Sequence, residues 1–264
     1  MAGFDSRAYW EDRLSNDYSI TGVGFRRLGP SFNEWAYRLR RERFTSIVRE
    51  QGLDLPACEV LDIGSGTGFY LAIWEELGVR SVTGSDLTDA AVKQLQLRYP
   101  DMKLLQLDIA EPLPETLKPG TFDVVDAMDV LFHIIEDDRF ANAIANIHSL
   151  LKPGGLFIWT DVFIHHVPVN HDHIVGRRLA DIERVMADSG FEIVRRAPMF
   201  FLMNTPVDTT SRLAKGAWLA AAGFISLWDG FGKAAGRAIY PIEKRLIEKR
   251  TESPATEIMI CRKV

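Results

Sequence analysis

Two hydrophobic rhythms divide this chain. Over residues 4–50 the apolar positions follow a helical spacing, and Trp35, Leu39, Phe44 and Ile47 within "NEWAYRLRRERFTSIVRE" read as one helix face. The stretch "TGVGFRRLGPSF", residues 21–32, reads as a loop because of its glycines and its Gly-Pro. From residue 59 short β-rich runs take over: "EVLDIG", "SVTGSDL", "KLLQLD", "FDVVDAMD" and "GLFIWTDVF". They alternate with the helical stretches "FYLAIWEELG", "TDAAVKQLQLRYP" and "DDRFANAIANIHSLLKPGG". Strands alternating with helices of this length predict an α/β fold with a parallel sheet joined by right-handed crossovers. "FEIVRRAPMF" and "TEIMICRKV" supply two more strands, with the helix "RLADIERVMADSG" before the first.

Residues 205–252 interrupt this alternation ahead of the last strand. The run "GAWLAAAGFISLW", residues 216–228, carries no charge, and the insertion as a whole has eight Lys or Arg against five acids. The run falls well short of the roughly 20 apolar residues needed to cross a bilayer. As a helix it would be apolar nearly all round and would need cover. Three roles fit it: a substrate lid or pocket wall, a homodimer contact, or a peripheral membrane contact through residues 213–240. The chain therefore divides into an N-terminal helical cap (1–50), a core (51–204 with 253–264) and a helical insertion (205–252).

Composition narrows the class. The balance of 47% apolar and 25% charged residues is that of a folded domain, and a net charge of -5 without a long basic tract gives no footprint for nucleic acid. Two cysteines, Cys58 and Cys261, are too few for a disulfide framework and fit a reducing compartment. "MAGFDSRAYWEDR" lacks the basic-then-apolar pattern of a secretory signal, so a cytoplasmic location is expected.

The candidate chemistry starts at "VLDIGSGTG", where Gly64, Gly66 and Gly68 follow an apolar strand containing Asp62. A dinucleotide fingerprint would want its third glycine at position 69, which is Phe69, and no Gly-Lys-Ser/Thr marks a P-loop. A glycine loop without lysine, entered through an acid, suits a ligand with an amino-acid end and a ribose. Asp62 would hold its ammonium directly or through water. In "GSDL" Asp86 ends the next strand, placed for ribose hydroxyls. In "LQLDI" Asp108 is placed for an adenine amino group, with Leu87 and Ile109 to sandwich the ring.

These segments, together with "FDVVDAMDVLFHI" and "LLKPGGLFIWTD", resemble the class I S-adenosylmethionine-dependent methyltransferases of the small-molecule type. The resemblance covers roughly residues 55–200 and the last strand. It implies a Rossmann-like seven-stranded, mostly parallel sheet with a reversed final hairpin and helices on both faces. It also implies S-adenosylmethionine as methyl donor, S-adenosylhomocysteine as product, and cofactor contacts from Asp62, Gly64, Ser65, Gly66, Gly68, Asp86, Leu87, Asp108, Ile109 and Met128.

Methyl transfer to a hydroxyl needs positioning and a proton acceptor. His133 follows the fourth strand, in a catalytic or a packing role. His165, His166, His171 and His173 cluster after the fifth, and His166 and His173 are the chosen candidates there, with Asp161 as orienting carboxylate; the alternative is an exposed polar loop. Their H-H and H-x-H spacing lacks the i, i+4 presentation of common zinc sites, so no metal is expected. Tyr9, Trp10, Tyr18 and Trp35 either close over the cofactor or form the core of the cap. Arg38 or Arg40 is a candidate for the methionine carboxylate, with solvated helix charge as the favoured alternative. No Asn/Asp-Pro-Pro-aromatic motif and no Pro-Cys occurs, which argues against base methylation. A small hydrophobic acceptor methylated on oxygen is the expected substrate, with nitrogen, carbon, a membrane-surface lipid, or a non-catalytic cofactor-binding scaffold as alternatives.

Overall fold

In the computed structural model, which describes residues 4–166, 169–171 and 173–264, the strands are β1 (Glu59–Ile63), β2 (Ser81–Asp86), β3 (Lys103–Gln106), β4 (Phe122–Met128), β5 (Leu151–Asp161), β6 (Val169–His171), β7 (Ile174–Gly176), β8 (Phe191–Pro198) and β9 (Glu257–Lys263). Seven of them form one sheet in the order β3-β2-β1-β4-β5-β9-β8. β1 to β5 run parallel, and β9 lies antiparallel between β5 and β8. The helices are α1 (Ser6–Asn16), α2 (Ile20–Val23), α3 (Gly29–Glu50), α4 (Phe69–Leu77), α5 (Asp89–Arg98), α6 (Asp137–Leu150), α7 (Leu179–Asp188), α8 (Arg212–Ile225) and α9 (Asp229–Lys249).

Strand alternation sends neighbouring residues to opposite faces. Val60 packs in one apolar layer with Leu39, Phe44, Ile47, Leu71 and Trp74 from α3 and α4. Leu61 packs in the other with Phe140, Ile144 and Ile147 of α6 and Ile182 and Met186 of α7. Both faces of the central strands are thereby covered, which is why they read as nearly continuous apolar runs. The doubly covered, mostly parallel sheet is the predicted fold class.

Two expectations need correction. Residues 21–32 are not an open loop: α2 and a 3-10 turn (Arg26–Leu28) fill the first part, and α3 already starts at Gly29. Pro30 in its first turn removes an N–H that has no intrahelical partner there. Trp35 packs against the same core as Leu39, Phe44 and Ile47 and also reaches α9, because α3 is sandwiched. Trp35 packs on Tyr240 of α9 with ring centroids 5.3 Å apart, and Gly236 leaves room for its ring. The histidine-rich stretch after β5 is not all loop either, since β6 and β7 pair antiparallel there.

Candidate cofactor and acceptor site

After β1 the chain passes through left-handed φ angles of 73°, 52° and 80° at Gly64, Gly66 and Gly68, a region that favours glycine. A side chain at Gly64 would strike Val130. The loop is fastened from behind: the amides of Gly64 and Ser65 both donate to the Ser85 carbonyl at 2.8 Å. The Gly66 amide donates to Asp86 Oδ2 at 2.9 Å. Gly68 has a packing role instead. A Cβ there would lie 2.9 Å from Leu95 Cδ2 and 3.0 Å from Tyr99 Cε2, so the glycine lets α4 start against α5.

Over the C-terminal ends of β1, β2 and β4 lies a cavity of about 560 Å³. The structure brings Gly64, Ser65, Gly66, Asp86, Leu87, Asp108, Ile109, Met128 and His133 together in its lining. Asp86 Oδ1 accepts from the Thr88 amide (2.9 Å) and hydroxyl (2.7 Å). Burial raises its carboxyl above the ordinary range, and these hydrogen bonds offset part of that rise. Asp108 Oδ1 accepts from the Ala110 amide at 3.1 Å and its Oδ2 from Arg139 Nη2 at 2.8 Å. Nothing in the spacing of "DDRF" singled out Arg139.

Asp62 is elsewhere. It is buried beneath the loop, 1% exposed, outside the cavity lining. It neighbours Asp126, whose Oδ1 accepts from Trp74 Nε1 at 2.8 Å. Burial raises both carboxyls; the charge of Asp62 and the hydrogen bond between the two raise Asp126 further, while that same bond holds Asp62 lower, so the pair retains a proton near neutrality. Its carbonyl accepts from the Ser65 and Ser85 hydroxyls, each at 3.2 Å. The Asp62 carbonyl thus helps to shape the loop, while its carboxylate lies behind the cavity lining.

The N-terminal helices close the cavity. Trp10 and Leu14 of α1 line it, and the cap is tied down by polar bonds. Ser6 Oγ donates to the His133 carbonyl (3.0 Å), and Tyr18 Oη donates to the Gly66 carbonyl (2.9 Å). The Glu11 carboxylate accepts from the Asp89 and Ala90 amides at the start of α5, at 2.8 and 3.0 Å. A carboxylate there also meets the positive end of the helix dipole. Tyr9 lies edge-on to Trp10. Trp35 and Arg38 stand apart with α9.

Arg40 lies inside, lining the cavity between Tyr37 and Tyr70. Its Nη1 is 2.5 Å from Asp129 Oδ2, and its guanidinium sits 4.7 Å from the Phe200 ring centroid. Burial opposes its charge, but Asp129 and the Tyr70 hydroxyl more than offset that and hold it protonated. Asp129 is a non-glycine residue at φ 61°, an uncommon conformation. Its amide donates to Thr160 Oγ1 and its Oδ1 accepts from the same hydroxyl, both at 2.8 Å. The quoted "DAMD" contains Asp129, but no sequence signal announces its backbone conformation.

Among the described residues, the histidine lining the cavity is His133. Its Nδ1 is 2.7 Å from the His173 carbonyl, so Nδ1 carries the hydrogen and Nε2 is left as an acceptor. Burial lowers its pKa to about 4, against the pull of that hydrogen bond, so the ring is neutral at physiological pH. Trp10 packs edge-on at 4.9 Å. Downstream, Arg177 donates to the Ile134 carbonyl at 2.8 Å and fixes the following loop. His173 does not line the cavity; its ring stacks on Tyr9 at 5.0 Å. His166 is exposed and does not line the cavity. Its neighbour His165 bonds through Nδ1 to Asp208 Oδ2 at 2.6 Å. Asp161, expected to orient a histidine, is buried and accepts from the Val162 amide at 2.6 Å. Burial pushes its pKa up to about 8, which leaves it largely protonated at neutral pH.

Residues 61–159 match the family described as a methyltransferase domain. Among curated proteins, the ubiquinone biosynthesis O-methyltransferase of Albidiferax ferrireducens is 36% identical over 100 residues, 37% of this chain and 38% of that protein. The mRNA cap guanine-N(7) methyltransferase of Caenorhabditis elegans is 29% identical over 127 residues, 43% of this chain and 33% of that one. The chain thus spans less than half the length of these relatives, and the family match lies within the core. The crystal structure of magnesium protoporphyrin IX methyltransferase from Synechocystis PCC 6803 with bound SAM covers all of both chains with a TM-score of 0.58 at 17% identity, a likeness of fold.

Proposed function

This chain carries a class I S-adenosylmethionine-dependent methyltransferase domain, and from that premise we propose that it methylates an oxygen of a small hydrophobic acceptor. The observation that carries the reading is the continuity of one cavity. It runs from the glycine loop and the carboxylates of Asp86 and Asp108 to an end walled by Trp10, Leu14, Ile134 and His133. In this reading Asp86 takes the ribose hydroxyls and Asp108, braced by Arg139, the adenine amino group between Leu87 and Ile109. Met128 and the backbone of Gly64, Ser65 and Gly66 complete the contacts. Arg40 is the candidate for the methionine carboxylate. Its Nε is buried without a hydrogen-bond partner among the described residues, and it lines the same cavity.

S-adenosylmethionine supplies a methyl group already activated on sulfonium. With it bound, the acceptor oxygen would take the methyl group, leaving S-adenosylhomocysteine, and His133 Nε2 would accept the acceptor proton. A neutral imidazole with Nδ1–H held by a carbonyl presents its lone pair without rearrangement. The apolar side chains of Trp10, Leu14 and Ile134 that line the cavity with it suit an apolar acceptor. The two buried thiols, Cys58 and Cys261, support a reducing, cytoplasmic setting.

Calorimetric titration with S-adenosylmethionine and S-adenosylhomocysteine tests the cofactor half. Binding is expected, and Asp86→Ala should weaken it by about 1–3 kcal/mol through lost charged hydrogen bonds. No binding to the wild type at millimolar ligand overturns the reading. Release of S-adenosylhomocysteine across a panel of phenols, amines and carbon acids tests the acceptor half. Release with phenols is expected; release with amines alone moves the acceptor atom to nitrogen, and binding without release on any acceptor favours a scaffold.

A further inference from the structure

The insertion contributes no side chain to the cavity lining among the described residues, so its exposed surface calls for another explanation. The geometry points to docking of the outer face of α8, with the turn that follows it, on an anionic membrane surface. Leu213, Ala217, Ala220 and Phe224 recur at four- and three-residue steps, which aligns them in one row on the helix, and all are exposed. Leu213 is 87% exposed, and beyond the helix Leu227 and Trp228 are 74% and 65% exposed. The opposite side is committed inward: Ala222 and Ile225 are buried, and Trp218 Nε1 donates to the Leu202 carbonyl at 3.2 Å. An aromatic group caps the tip, with Phe224 stacked on Phe231 at 4.3 Å and Trp228 edge-on to it at 5.3 Å. A contiguous solvated apolar row of this kind marks an interaction surface.

Charge selects the partner. Arg212 and Lys215 on α8, Lys233 and Arg237 on α9, and Arg26 and Arg27 on the 3-10 turn against which α8 packs are all exposed. The nearby acid, Asp229, is occupied: it accepts from the Ser31 amide (3.0 Å) and hydroxyl (2.6 Å). A basic rim around an apolar row, in a chain of net charge -5, is a local reversal of sign. A two-fold contact between copies would set one basic rim against another, a like-charge arrangement. Anionic headgroups over acyl chains satisfy the rim and the row together, with Trp228 at the boundary where tryptophan is favoured. Among the described residues no helix is long and apolar enough to cross a membrane, so the contact is peripheral.

Sedimentation with phosphatidylcholine vesicles, with and without phosphatidylglycerol, tests the docking. The full chain should partition at least about tenfold more strongly onto the anionic vesicles, and added salt should weaken that binding. Leu213→Glu with Leu227→Glu should reduce binding about tenfold or more while thermal unfolding stays unchanged, because both side chains are solvated. Arg212→Glu with Lys215→Glu should erase the preference for phosphatidylglycerol. Equal partition onto both vesicles, or none, overturns the proposal. So does a concentration-dependent dimer that the leucine variants abolish.

Discussion

The two helical additions to the sheet contrast in a way their compositions do not suggest. α1 is polar, "SRAYWEDRLSN", with Leu14 as its buried residue, yet it roofs the cavity. α8 is apolar, "RLAKGAWLAAAGFI", yet it turns Leu213 and Phe224 to solvent and stays out of that cavity's lining. α1 is held by directional bonds from Ser6 and Glu11, whereas α8 is held mainly by packing along its Ala222–Ile225 side, with one bond from Trp218 to the Leu202 carbonyl. Apolar content says that a helix wants cover. What covers it depends on which surfaces lie opposite, and those belong to other parts of the chain. A roof held by a few polar bonds is also the kind of element that opens locally at low cost.

The largest difference between the two regions should appear in turnover. His133→Ala, under the α1 roof, is expected to lower methyl-transfer rate by about 10²- to 10⁴-fold with cofactor affinity retained. His166→Ala, exposed in the loop after β5, should leave the rate within about twofold, within the ±0.5 kcal/mol range of an ordinary surface change. Steady-state rates of both variants decide; an inert His133 substitution would return that residue to a packing role.

A pH signature should also separate the cavity side from the α8 side. Burial holds Asp161 protonated in the folded protein up to about pH 8. The unfolded chain releases that proton near pH ~4. Between those values the native state binds one proton more than the unfolded state, so this group makes stability fall as pH rises. Asp161→Asn should flatten the decline between roughly pH 5 and 8 and raise stability at pH 8 by at least about 1 kcal/mol, measured by denaturant unfolding at each pH. An unchanged slope would show that Asp161 is ionised in the fold.

Smaller effects test how each addition is held. Glu11→Ala removes the carboxylate that accepts from the Asp89 and Ala90 amides, and should cost about 1 kcal/mol. It should also speed amide exchange across residues 6–16 and raise the acceptor KM more than it lowers kcat. Leu213→Glu, on a side chain 87% exposed, should change unfolding free energy by less than about 0.5 kcal/mol. Equal destabilisation by both would erase the distinction between a latched roof and an outward-facing helix.

Much of the core was legible. The runs around Val60, Val124 and Phe157 read as strands because their side chains are buried on both faces, and burial leaves its mark residue by residue. Asp86 and Asp108 read as site residues because they stand where parallel strands end, and the cavity opens at those ends. Asp62 occupies the same kind of position, yet its side chain turns beneath the loop toward Asp126, which the strand pattern did not show. Arg40 was named beside Arg38 without a means to choose; two positions along α3 swing one guanidinium into the cavity and leave the other over Trp35 and Tyr240. Asp129 and Arg139 gave no notice, because a strained φ and a cross-element ion pair have no local pattern.

What the amino-acid order settled unaided is what short-range physics controls: glycines at 64, 66 and 68 permit left-handed backbone, and β-rich runs spaced by helices impose a parallel sheet. Folding decided the rest. Which histidine meets the cavity, whether a carboxylate faces a ligand or another carboxylate, and whether an apolar helix turns inward or outward all depend on the surface opposite, which lies tens or hundreds of residues away. Periodicity along the chain carries no information about that distance in space.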